Sequence, residues 1–92
     1  MEVIERIKNN DPTLVSVDLS RCNLEDISFL RGNTHLTHID LMFNNIKDIS
    51  VLSENESIEY IELAHNLIKD ISFLTKNRSI TYLSLTNNLV RD

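Results

Sequence analysis

Residues 36–58 read L-T-H-I-D-L-M-F-N-N-I-K-D-I-S-V-L-S-E-N-E-S-I, and the spacing inside this stretch decides the fold. Apolar side chains fall at Leu36, Ile39 and Leu41 and again at Ile46, Ile49 and Leu52, with Asn44 between the two triplets. Moved forward by 22 residues, the template meets Ile58, Ile61, Leu63, Asn66, Ile68, Ile71 and Leu74. Moved back, it meets Leu14, Val17, Leu19, Cys22, Leu24, Ile27 and Leu30. A half-length copy adds Ile80, Leu83, Leu85, Asn88 and Val90. The register never slips, which marks an internal repeat.

Each copy divides in two. The first half, as in His38-Ile39-Asp40-Leu41-Met42, alternates polar and apolar side chains and reads as a short strand with one buried face. The second half, as in Lys47-Asp48-Ile49-Ser50-Val51-Leu52, is too short for a full helix yet must bring the chain back within one repeat. A single helical or 3₁₀ turn is expected there, with Asp26, Asp48 or Asp70 near its start to accept unpaired amides. One copy buries too few aliphatic side chains to offset the ordering of its own backbone, so the copies must stack. Stacking predicts a short solenoid with a parallel sheet. Asn44, Asn66 and Asn88 then form a structural ladder at the turns, and Cys22, in the same slot, is expected buried and reduced.

Ahead of the first copy, Val3, Ile4 and Ile7 share one face of a helix that stops near Asn9-Asn10-Asp11-Pro12. Its expected work is to cover the first coil of the stack, as the ends of repeat arrays require.

The chain has 92 residues, 25% of them charged and 41% hydrophobic, with a net charge of -5. That size suits one domain. The acidic balance argues against nucleic acid or an anionic membrane as a partner and is compatible with a basic protein. No apolar run is long enough to span a bilayer, and Met1–Arg6 is too short and too charged for a signal peptide. A lone cysteine cannot close an internal disulfide. These features place the chain in the cytoplasm as an expectation, and the sequon matches at Asn55-Glu56-Ser57 and Asn77-Arg78-Ser79 are then set aside as chance.

The motif L-x-x-L-x-L-x-x-N/C-x-L is matched by Leu14–Leu24, Leu36–Ile46, Ile58–Ile68 and Ile80–Val90, and the chain therefore resembles leucine-rich repeat proteins. The 22-residue spacing with Ile-Lys-Asp-Ile after the asparagine looks like the short repeats of bacterial internalins and of phosphatase regulators. Internalins usually carry leucine where Asn33, Asn55 and Asn77 stand, and often proline near Ser50 to Val51. Leu52-x-x-Asn55-x-x-Ile58 and Leu74-x-x-Asn77-x-x-Ile80, with Ile7 to Leu14 in front, are similar to tropomodulin and ribonuclease-inhibitor arrays. The resemblance implies an α/β fold. It would be a short right-handed leucine-rich repeat solenoid, with a parallel β-sheet on the concave face, 3₁₀ or short helical turns on the convex face and an N-terminal capping helix. The expected single domain runs over 1–92, with the cap at 1–11, full repeats at 14–35, 36–57 and 58–79, and a partial repeat at 80–92. The resemblance also implies that the concave sheet binds a protein partner.

Aligning the copies turns outward strand positions into columns: Ser16, His38, Tyr60, Tyr82; then Asp18, Asp40, Glu62, Ser84; then Ser20, Met42, Ala64, Thr86; then Arg21, Phe43, His65, Asn87. All are expected to point away from the core. Asp18, Asp40 and Glu62 put three carboxylates in a row, either a seat for lysine or arginine of a partner or simply a solvated acidic face. Met42, Phe43, Tyr60 and Tyr82 are large side chains on a wet face, either an interface or aromatics packed on one another. The expected partner-binding residues are Asp18, His38, Asp40, Met42, Phe43, Tyr60, Glu62, His65 and Tyr82.

A metal site at His38, Asp40, Glu62 and His65 is the sharper alternative, but a flat sheet with no evident pocket suits it poorly. No serine is arranged with a histidine and an acid by spacing, and Gly32 is the only glycine. No enzyme, cofactor or metal is expected. At the C-terminal end, Val90-Arg91-Asp92 stops halfway through a coil. Either the array is longer, or another chain covers Leu83, Leu85, Leu89 and Val90 and the protein self-associates there, or so short a protein tolerates the open edge.

Overall fold

The computed structural model describes residues 1–90, so the partial repeat expected over 80–92 extends two residues, Arg91 and Asp92, beyond them. Helix α1 spans Glu2–Lys8 and is followed by four strands: β1 (Ser16–Asp18), β2 (His38–Asp40), β3 (Tyr60–Glu62) and β4 (Tyr82–Ser84). Turns of 3₁₀ helix at Ser28–Leu30, Ser50–Ser53 and Ser72–Lys76 separate them. The strands form one parallel sheet in the order β1-β2-β3-β4. Ser16 pairs with His38, His38 with Tyr60, and Tyr60 with Tyr82, so the sheet register is the repeat itself.

Each regular strand is three residues long, shorter than the His38–Met42 stretch that alternates in sequence. The reason lies at Asp40. Its Oδ1 accepts the Met42 amide at 3.0 Å, and Phe43 then takes a left-handed conformation with φ 56. Parallel pairing survives that break as single bonds: Leu41 N–H donates to Glu62 O and Phe43 N–H to Ala64 O.

Between sheet and turns lies one apolar core. Leu36, Ile39, Leu41, Ile46, Ile49 and Leu52 are all buried, as are Ile58, Ile61, Leu63 and Ile68 in the next coil. The two apolar triplets of the 36–58 stretch are thus the inside of the second coil. The acidic residues expected at the turns stand where they are needed. Asp26, Asp48 and Asp70 accept the amides of Ser28, Ser50 and Ser72 at 2.6, 2.8 and 2.9 Å.

The asparagine ladder is present and points one way. Asn44 Nδ2 donates to Leu19 O, Asn66 Nδ2 to Leu41 O and Asn88 Nδ2 to Leu63 O, each reaching into the preceding coil. Cys22 occupies the first rung but is only half-buried, not buried as expected. The segment before its coil is α1 rather than another strand, so an amide there would find no matching carbonyl. Its thiol instead donates to Ser20 O at 3.3 Å.

A second ladder runs beside the first. Asn33, Asn55 and Asn77 turn inward, again at the repeat spacing. Asn55 donates to Asn33 O, and Asn77 donates to Leu52 O and Asn55 O. Each oxygen also accepts the two amides that lead into the next strand, as Asn55 Oδ1 does from Ser57 and Ile58. Asn33 donates to Ile7 O, at the C-terminal end of α1, so this ladder begins by capping the helix. Asn10, with φ 53, ties the same junction by accepting the Thr34 amide and donating to Thr34 Oγ1. The helix is thereby held onto the first coil, where Ile7 is 1% exposed.

Candidate functional site

The outward strand positions stand in register across the sheet, and the side chains of two columns stack on one another. In the first, the His38 and Tyr60 rings lie 5.4 Å apart at 16°, and Tyr60 and Tyr82 lie 4.4 Å apart at 7°. In the second, the Arg21 guanidinium sits 4.1 Å from the Phe43 ring centre, Phe43 and His65 stack at 4.2 Å, and Asn87 Nδ2 lies 3.2 Å from His65 Nε2. Aromatics packed on one another, one of the two alternatives for these columns, are therefore real. Exposure persists alongside the packing: Phe43 remains 37% and Tyr82 44% exposed.

The second column has a backbone cause. Arg21, Phe43, His65 and Asn87 all have φ between 56 and 60, a left-handed conformation that costs a residue with a side chain about 1–2 kcal/mol. The same conformation at the same place in every coil aims these side chains along one line, where they stack.

Between the two stacks runs the acidic column. Register places Asp18 beside Asp40 and Asp40 beside Glu62. Each carboxylate spends one oxygen on the backbone two residues ahead: Asp18 Oδ1 on Ser20 N, Asp40 Oδ1 on Met42 N, Glu62 Oε1 on Ala64 N. The Ser20 hydroxyl also donates to Asp18 at 2.6 Å, and together with the Ser20 amide it holds that carboxyl below the usual aspartate range. The second oxygens of Asp18 and Asp40 remain free on the sheet surface among the described residues. Glu62 Oε2 receives the Tyr82 hydroxyl at 3.5 Å, and the Glu62 charge pushes the Tyr82 phenol above its ordinary value. The acids are thus both turn caps and surface charges, two roles that spacing cannot tell apart.

Several expectations change. Ala64 is buried and Met42 half-buried, although neither belongs to the apolar core. His38 and His65 serve different stacks, and among the described residues no three histidine, cysteine, aspartate or glutamate side chains gather as metal ligands. Of the residues considered for self-association, Leu83 and Leu85 pack half-buried against the core, while Leu89 and Val90 are exposed. An open cleft of about 350 Å³ lies off the sheet, lined by Leu30, Arg31, Gly32, Glu54 and neighbours, and an Arg31–Glu54 ion pair of 3.3 Å sits beside it.

A family profile described as "Leucine Rich repeats (2 copies)" matches residues 12–54, which hold the first two coils. No curated protein matches the chain closely enough to count as a relative. Repeats of this family are generally protein-interaction modules and typically non-catalytic. With four in-register parallel strands, 3₁₀ turns between them and an asparagine ladder spaced by the repeat, the chain belongs to the leucine-rich repeat proteins.

Proposed function

We propose that this chain is a non-catalytic module that docks a protein partner on the outward face of its sheet, the concave face in solenoids of this family. The observation that carries the reading is the acidic column of Asp18, Asp40 and Glu62 flanked by two stacks of rings. The rings are already ordered by each other, so binding does not have to immobilise them. With a net charge of -5 and free carboxylate oxygens on that face, the partner is one that presents basic residues. A cytoplasmic setting belongs to this reading, and the lone free thiol of Cys22 is compatible with it.

The test uses Asp40→Asn with Glu62→Gln, and separately Tyr60→Ala. The amide variants keep the turn-capping oxygen and remove only the charge. A partner captured by the wild type should be lost from both variants while far-ultraviolet circular dichroism stays unchanged. Retained capture in both removes the reading. A second reading, self-association, draws on the exposed Leu67, Leu89 and Val90. Sedimentation at rising concentration checks it, since a dimer abolished by Leu89→Asp would favour it.

A further inference from the structure

The first stack stops one coil short. His38 has Tyr60 on one side, but its other neighbour in register is Ser16, which is exposed and too small to cover a ring. In the second stack the same first coil supplies Arg21, whose guanidinium closes the column on Phe43. Side by side, one column is capped by a planar cation and the other is left open above Ser16.

We propose that the open place above Ser16 is a seat for an arginine side chain of the protein partner. A guanidinium there would lie flat on the free face of His38, as Arg21 lies on Phe43, with the column advancing by about 4.8 Å per strand. Beside it stands Asp18, two residues along the same strand face, with its second oxygen free, and Asp40 stands next in that column. A fork of N–H donors reaching a carboxylate while its plane stacks on a ring is a use that suits arginine and not lysine. The inference rests on the docking face proposed above and names what one part of it holds.

The experiment is a titration of the isotope-labelled protein with acetyl-Gly-Arg-Gly-amide and with its lysine counterpart, followed by nuclear magnetic resonance. Arginine should shift Ser16, Asp18, His38 and Asp40, and lysine should bind about two- to fivefold more weakly. Ser16→Arg, which brings its own guanidinium to the seat, should abolish the response, whereas Ser16→Thr, small and suited to a strand, should keep it. Equal response to both peptides, shifts centred elsewhere, or an unchanged response in Ser16→Arg would overturn the seat. Capture of a partner separates the two levels. If Asp40→Asn with Glu62→Gln loses the partner and Ser16→Arg keeps it, the docking face stands and the seat falls. If all of these variants keep it, both fall.

Discussion

Asn66 reaches out of its own coil: its Nδ2 donates to Leu41 O at 3.0 Å and its Oδ1 accepts the Ile46 amide at 3.0 Å. The same nitrogen also meets Leu63 O at 3.1 Å. One buried side chain therefore satisfies backbone groups in two successive coils. Removing it leaves those groups unpaired away from water, each at about 1–3 kcal/mol. Asn66→Ala should lower stability by about 2–4 kcal/mol in urea unfolding. Asn88→Ala should cost less, because Asn88 is only half-buried and water can reach its partners.

Acid should weaken the fold through its turn aspartates. The Ser28 amide, the Ser50 hydroxyl and the Ser72 amide are the leading causes that hold Asp26, Asp48 and Asp70 below the ordinary value of 3.8. The Thr13 hydroxyl and amide, with Arg6, hold Asp11 down to about 2. A depressed folded value means that the unfolded chain takes up protons first, so the stabilisation is complete above the carboxylate range and is lost as pH falls through it. The urea midpoint should drop between about pH 5 and about pH 2. Asp26→Asn, Asp48→Asn and Asp70→Asn combined keep the accepting oxygens but not the titration, and the drop should become shallower.

At the alkaline end the sign reverses. Glu62, and after it Tyr60, raise the Tyr82 phenol above 10.0, so the folded chain keeps that proton longer than the unfolded chain does. Stability should decline as pH rises through the tyrosine range. An ultraviolet absorbance titration should show one late-ionising tyrosine, absent in Tyr82→Phe and restored toward the ordinary value by Glu62→Gln. An unmoved titration in Glu62→Gln would remove the electrostatic account.

Phe43 tests the trade between backbone and stacking. Its φ of 56 suits glycine, and its ring is held between Arg21 and His65. Phe43→Ala loses both stacking contacts and keeps the unfavourable backbone, while Phe43→Gly loses the contacts and relieves the backbone. Thermal unfolding should rank the glycine variant above the alanine variant by about 1 kcal/mol.

Much of the architecture is legible in residues 36–58. A coil of constant length makes position in the sequence equivalent to position on the sheet, so counting residues is enough to set Asp18, Asp40 and Glu62 side by side. Other things are not readable that way. Asn33, Asn55 and Asn77 stand at the repeat spacing, yet whether an asparagine there faces water or the backbone depends on the path of the neighbouring coil. Their amides point inward, which also occupies the asparagines of both sequon matches. The burial of Ala64 and half-burial of Met42 depend on which neighbouring side chains cover them, which spacing does not announce.

By itself, the sequence determined the repeat length, the core positions and the order of the outward columns, because hydrophobic periodicity and a fixed coil length are properties of spacing alone. Only the tertiary structure decided which oxygen of each carboxylate is free, which rings lie face to face, and that one stack ends on Arg21 while the other stops at Ser16. Those depend on side-chain torsions and on atoms 22 residues away that meet only after the coils have stacked.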